Sequence, residues 1–398
     1  MNGPVPGTPS LLRAINDRAA LQALLERGPL TRPEIGAITG LSKPTASQLL
    51  LRLQQAGLVV QDGVREGMPG RTAEVYRINP AAAYVAALDV TPARIEAKVA
   101  DITGTVVGEH VLPTPRRPHG ELVDRLNAAL RGAGPPDKLR RVVIGVQAAI
   151  DPTTGRLGYA AAKDVPGWQI PDLVPTLSAG LGAPVDVENN VNLVAVAEQA
   201  HGAARGQQDF VLLWADEGIG SAIVLGGRMH RGATGGAGEV GYMPTPGAPT
   251  AREAGRYASH GYQALTGGPA VLRLLRSYGV RGSDFRQAVA NAVRAAEGAG
   301  KKADDARAGL RDVAARLAVG LAAITSVVDP ALIVLTGGVV LPGGDTLREL
   351  VEHELHALTI PRPPVRLSCV EGNPVLAGAL DLALTAAREE VFRSTVPS

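Results

Sequence analysis

Two stretches of this 398-residue chain set side chains where they could do chemistry. The first is VENNVNLVAVAE at Val187–Glu198, where Asn189 and Asn190 stand side by side between a short apolar strand and a helix. Polar groups at the carboxyl end of a strand in an open α/β sheet sit where ligands bind. An amide offers one donor and one acceptor fixed in direction, a pairing suited to vicinal hydroxyls. The plainer role is a helix cap, because Asn is a preferred N-cap residue. Neither amide takes up a proton near neutral pH, so neither can act as a general base. The second stretch is Lys43–Arg52, a helix whose apolar face carries Ala46, Leu49 and Leu50. Its other face shows Lys43, Thr45, Ser47, Gln48 and Arg52, groups that contact phosphates and base edges.

The elements around that polar face explain how it would be presented. Ser10 can start a helix carrying Leu11, Leu12, Ile15, Leu21, Leu24 and Leu25, which Gly28-Pro29 ends. Thr31-Arg-Pro-Glu34 is a capping box with proline in the first turn, and its short helix stops near Gly40. Ser42 then caps the polar-faced helix. Two helices joined by a tight glycine turn, the second polar at its start, describe a helix-turn-helix. Leu58–Val60 and Ala73–Ile78 read as two strands of a wing whose tip, REGMPGR, carries Arg65 and Arg71. The candidate DNA contacts are therefore Ser42, Lys43, Thr45, Ser47, Gln48, Arg52, Arg65 and Arg71. A small helical domain that binds a partner protein is the competing reading.

Composition narrows the class. The first eighty residues carry a net +3 and the rest −1, so the front alone is mildly basic. That balance permits a nucleic-acid partner. Aromatics make up only 3% of the chain, which leaves Ala, Val, Leu and Ile to build the cores. The single cysteine, Cys369, excludes an intrachain disulfide and a multi-cysteine zinc site, and it is expected as a small buried residue. No apolar run reaches the roughly 18 residues of a membrane span, and MNGPVPGTPS lacks the pattern of a secretion signal. A cytoplasmic protein is expected, with no membrane, metal or cofactor.

Beyond about residue 80 the pattern is α/β. Tyr84–Val90 and Arg94–Asp101 are strands, followed by the turn Ile102-Thr103-Gly104-Thr105. Leu122–Gly132 and Leu173–Leu181 are helices, and Val142–Val146, Phe210–Ala215, Ala222–Leu225 and Ala331–Leu335 are strands. A long helix spans Ala308–Val327, a strand Val365–Val370, and Asn373–Arg388 is a closing helix. Two glycine-bearing turns stand at strand ends, Asp216-Glu-Gly-Ile-Gly-Ser221 and Thr336-Gly337-Gly338. Trp168 is read as core.

VENNVNLVAVAE and RGATGGAGEVGYM resemble the ROK family of repressors, open reading frames and sugar kinases. The resemblance covers the whole chain. It implies a two-lobe, actin-like α/β body, here behind an N-terminal winged helix-turn-helix. In the family an Asn-Asp pair holds the sugar and the Asp removes its proton; Asn190 stands at that Asp position. The same resemblance implies sugar contacts at Asn189, Glu239 and Asp164, the last lying in a loop that leads to Gly167-Trp168. Tyr242 stands where the family has a zinc-ligating, sugar-contacting histidine, and the usual cysteine cluster is absent. Gly255 falls near the place of a second sugar glutamate, with Glu253 a substitute. The hairpin after Asp89 resembles the family's phosphate turn but has Pro92 and no glycine before Gly104. The loop at Asp216 corresponds to the second phosphate loop, and the strand before Gly337 to the adenosine side.

These residues imply a DNA-binding transcriptional regulator, a repressor of sugar or amino-sugar genes acting as a homodimer or homotetramer on an operator. Its effector would be a sugar or sugar phosphate bound by Asp164, Asn189, Asn190, Glu239 and Tyr242, without catalysis. The alternatives are a DNA-binding protein whose body only oligomerises and an active sugar kinase. The expected organisation is a tail at 1–9, the winged domain at 10–80 and the body at 81–398. Within the body the small lobe spans about 84–195 plus 373–390, and the large lobe about 196–372.

Overall fold

A computed structural model describes residues 9–66, 72–114, 121–134, 139–158, 167–255 and 258–393. Its first three helices are Pro9–Arg27, Arg32–Thr39 and Lys43–Gln55. The capping box forms as expected: Glu34 accepts from Thr31 N at 2.6 Å, and Thr31 Oγ1 accepts from Glu34 N at 3.4 Å. Gly40 closes the second helix at φ 69°, a left-handed conformation that costs glycine little. Leu21, Leu24, Ile35, Leu49, Leu50 and Leu53 pack as the core beneath the turn. The wing strands are Val59–Glu66 and Thr72–Ile78, so the first is longer than its composition suggests. An irregularity between Gln61 and Val64, with Gly63 at φ 107°, lets the pairing resume past Asp62. A third strand, Leu30–Thr31, pairs with Thr72–Ile78 and escapes sequence reading because it is two residues long and its second residue is the helix cap.

The body holds two five-stranded sheets. In the first, Val185–Asn189, Leu139–Val146 and Tyr84–Val90 run parallel, and Arg94–Asp101 and Val106–Pro113 add antiparallel strands at one edge. Alternation places Ala86 and Leu88 against the helices Leu122–Gly132 and Leu173–Leu181. Val85 and Ala87 face the helices Asn190–His201 and Pro374–Arg393. In the second sheet Phe210–Ala215 lies between the antiparallel Ile219–Leu225 and the parallel Leu332–Thr336. Leu212 and Val334 share a core with Leu193 and Val194, so helix Asn190–His201 is packed between the two sheets. Leu213 and Leu335 face helix Lys301–Val328 instead. That helix starts seven residues before the expected Ala308, with Ala303 and Ala306 buried beneath ion pairs from Lys301 and Arg307.

The last helix joins the body to the winged domain. Its residues Ala387, Val391 and Phe392 share one cluster with Ala20, Leu21 and Leu24 of helix Pro9–Arg27. Cys369 departs from its expected place and is exposed. The strand ends at Leu367 because the buried Glu198 carboxylate draws the next backbone towards itself. It accepts from Ser368 Oγ at 2.5 Å and from Cys369 N at 3.2 Å. Trp168 is buried, as its type suggests.

Candidate functional site

Strand Val185–Asn189 and helix Asn190–His201 meet at the paired amides, and the two side chains do different work. Asn189 Oδ1 accepts from Val191 N at 2.8 Å and caps the helix. Asn190 is buried and its Nδ2 donates to Asp89 Oδ1 at 3.2 Å. The other Asp89 oxygen accepts from Asn373 Nδ2 at 2.9 Å, while Asn373 Oδ1 caps the last helix through Val375 N at 3.0 Å. Asp89 thus fastens the starts of two helices to the end of strand Tyr84–Val90. Burial pushes its carboxyl above the usual range, against the pull of the Asn373 hydrogen bond. Asn190 Oδ1 is buried without a partner among the described residues.

Sequence reading missed the neighbouring Glu188. This buried carboxylate accepts from Asn192 Nδ2 at 2.8 Å and from Arg231 Nε at 2.7 Å. A polar pair at i and i+4 across the strand–helix junction was the available signal; Arg231, from the other lobe, left none. Through Arg231 the segment 231–239 is tied to the first sheet, and through Ser221 N donating to Gly238 O at 2.8 Å it is tied to the second. Glu239 follows directly and is half-buried. Its carboxyl is pushed up to about 7, and burial is the sole cause. No described residue pairs with it. Tyr242, on the next turn, meets His260 edge-on at 5.3 Å. His260 is buried, and its Nδ1 has no partner among the described residues. Glu253 is held in a capping box by Thr250 N at 2.8 Å, and Asp164 lies outside the described residues. Among the described residues no group of three His, Cys, Asp or Glu could hold a metal ion.

On the winged domain, Lys43, Thr45 and Gln48 are exposed on the second helix of the helix-turn-helix. Ser42 makes no side-chain cap; its Oγ lies 2.8 Å from Thr45 Oγ1. Ser47 Oγ turns back to Lys43 O at 2.9 Å. Two of the candidate arginines have partners within the domain: Arg52 with Asp17 at 2.7 Å, and Arg65 with Glu34 at 2.9 Å. Arg71 lies outside the described residues. The exposed face is therefore led by Lys43, Thr45 and Gln48.

A two-lobe α/β body behind a winged helix-turn-helix defines the class. The ROK family model matches residues 85–386, and a MarR family model matches residues 16–71. The chain belongs to the ROK family. The xylose repressor of Bacillus subtilis (strain 168) is 24% identical over 239 residues, 59% of this chain and 61% of that protein. The bifunctional enzyme NanE/NanK of Brucella suis is 35% identical over 212 residues, 52% of this chain and 36% of the enzyme. The chain thus spans about three fifths of the repressor. Among solved structures, a ROK family transcriptional regulator, homologous to the Escherichia coli MLC protein, covers 97% of this chain and is itself covered to 99%. Its TM-score is 0.72 at 17% identity, a likeness of fold. The ROK hexokinase from Thermus thermophilus covers 77% of this chain, is itself covered to 99%, and has a TM-score of 0.61 at 27% identity. Among the described residues no helix is long and apolar enough to cross a membrane.

Proposed function

We propose that this protein is a transcriptional repressor whose hold on its operator is set by a sugar or sugar derivative, which its body binds without phosphorylating. The carrying observation is Glu239: a half-buried carboxyl at the end of the segment that ties the two sheets together, raised to about 7 with no compensating partner among the described residues. Buried carboxylates are paired or hydrogen-bonded, and ligand hydroxyls supply what this one lacks. The ROK assignment and the likeness to xylose repressors support the reading, and the kinase relatives support a sugar-shaped site. Asn190 supports binding without chemistry, because its amide is already committed to Asp89 and cannot take a proton.

The last helix supplies a route from site to DNA. Its first turn is held through Asn373 and Asp89 to Asn190. Its far end packs on the winged domain's first helix. A ligand acts only through its different affinity for two conformations, and tilting this helix is one way to offer two. The test pairs calorimetry across a panel of pentoses, hexoses, amino sugars and their phosphates with operator binding. A binder should change operator affinity, and Asn373→Ala should retain ligand binding while reducing that change. A panel without a binder, or a binder that leaves operator affinity fixed, leaves the body as an oligomerisation scaffold. Phosphorylation of a binder by ATP restores the kinase reading.

The DNA face carries its own expectation. Lys43→Ala should weaken binding to all sequences alike and lower the salt slope by about one unit. Thr45→Ala with Gln48→Ala should instead relax preference at particular base pairs, at about 1–3 kcal/mol per good contact. Selection of bound sequences from a random pool separates the two. An unchanged preference in the double variant would move recognition elsewhere.

A further inference from the structure

Strands Phe210–Ala215 and Leu332–Thr336 are parallel neighbours, and their carboxyl ends open onto Asp216 and Gly337-Gly338. Crevices at such ends are where open α/β sheets take ligands. This one is already occupied by the protein's own carboxylate. Asp216 Oδ2 accepts from Gly338 N at 2.7 Å, and Asp216 Oδ1 meets Arg286 Nη2 at 2.5 Å. Glu217 N donates to the same Oδ1 at 2.9 Å. Arg286 also lies over the Phe285 ring, 4.6 Å from its centroid, which fixes the direction of its guanidinium. A Cβ on Gly338 would fall 2.4 Å from Arg286 Nε and 2.9 Å from Asp216 Oδ2, so a side chain there would push the ion pair aside.

An arginine and backbone N–H groups converging on one point form an anion site. We infer that Asp216 is the resident anion of this crevice and the residue that bars phosphoryl ligands from it. A phosphate group entering the crevice meets the Asp216 carboxylate where its own oxygens would bind, and the exposed Glu217 at the rim adds repulsion. Removing the Asp216 side chain vacates a space of carboxylate size while leaving the donors of Arg286 and Gly338 in place. The ligand class admitted is then a polyphosphate. This inference is independent of the sugar reading: a body that bound no sugar would still show it.

The test is calorimetric titration of the full chain with inorganic pyrophosphate at low salt. Asp216→Ala should bind at least tenfold more tightly than the wild-type chain, and adding Arg286→Ala should remove the gain. Glu217→Ala makes the same change in net charge but leaves the resident anion, so it should gain less than threefold. Wild-type binding as tight as that of Asp216→Ala, or an equal gain in Glu217→Ala, overturns the inference. Thermal melting checks that Asp216→Ala folds. Asp216→Ser, which keeps an acceptor for Gly338 N with less bulk, carries the same expectation if it does not. No gain in a folded Asp216 variant also overturns it.

Discussion

Arg52→Ala should destabilise the winged domain by about 3 kcal/mol and weaken operator binding with it. Asp17 is only 1% exposed, and Arg52 reaches it from helix Lys43–Gln55 at 2.7 Å. Burial pushes the Asp17 carboxyl up, and the Arg52 hydrogen bond pulls it down without fully offsetting the shift. Removing a partner from a buried ion pair typically costs ~3–5 kcal/mol, because a bare charge remains; the lower end applies here, since the Arg52 side chain is 37% exposed and the charge of Arg13 still acts on Asp17. The sign with pH follows from the raised carboxyl. Its protonated form is favoured in the fold, so its contribution is fully present below the ordinary value of 3.8 and is lost as pH rises through the folded value. Without Arg52 the folded value rises further, so the deficit should be greatest at neutral pH and shrink towards pH 4. Chemical denaturation across that range measures it. Asp17→Asn in the Arg52→Ala background should restore the stability by removing the charge. If DNA binding returns with it, Arg52 acts as a brace; a stable double variant blind to DNA would make Arg52 a direct contact.

That arginine also shows where sequence reading stops. The polar face from Lys43 to Arg52 is legible because the buried positions recur at helical spacing, and Ala46, Leu49, Leu50 and Leu53 are buried as the pattern requires. Periodicity says that Arg52 faces away from the core. It does not say that a carboxylate 35 residues earlier waits there. The strands Tyr84–Val90 and Arg94–Asp101 and the helices Leu122–Gly132 and Leu173–Leu181 match to the residue, and the strands are bounded by turns closed at Thr91 and Asp101. Strand Val365–Leu367 is shorter than its composition suggests because Glu198, 170 residues away, sets its end. The paired amides illustrate the same limit. Asn at a strand end reads equally as cap or ligand group, and the structure makes Asn189 the cap and turns Asn190 towards Asp89. Nothing local marks Asp89 and Asn373 as partners across 284 residues.

Effector affinity should rise with pH up to about 7 and then level off, and Glu239→Gln should remove that dependence. The Glu239 carboxyl stands at about 7 against an ordinary 4.5, through burial alone. In the free protein the neutral form is therefore favoured, and ionising it in place costs ~3 kcal/mol relative to the unfolded chain. Stability from this group is fully present below about 4.5, falls as pH rises, and is lost above about 7. Ligand hydroxyls that donate to the carboxylate favour its charged form. Below about 7 binding must then expel a proton, and affinity should fall by up to about tenfold per pH unit. Calorimetry in two buffers of different ionisation enthalpy counts that proton directly. Glu239→Gln should bind the effector roughly 10–100-fold more weakly at pH 8, the cost of a hydrogen bond to a charged group. The same variant should make the ligand-free protein more stable at pH 8, by up to about 3 kcal/mol, because no bare carboxylate remains to be buried. Binding and stability should thus move in opposite directions in one substitution, which a general loss of structure cannot produce. A variant less stable than wild type at pH 8 would mean that the carboxylate already has a partner in the free protein. Affinity flat from pH 5 to pH 8 would mean that the effector meets Glu239 in its neutral form or does not meet it at all.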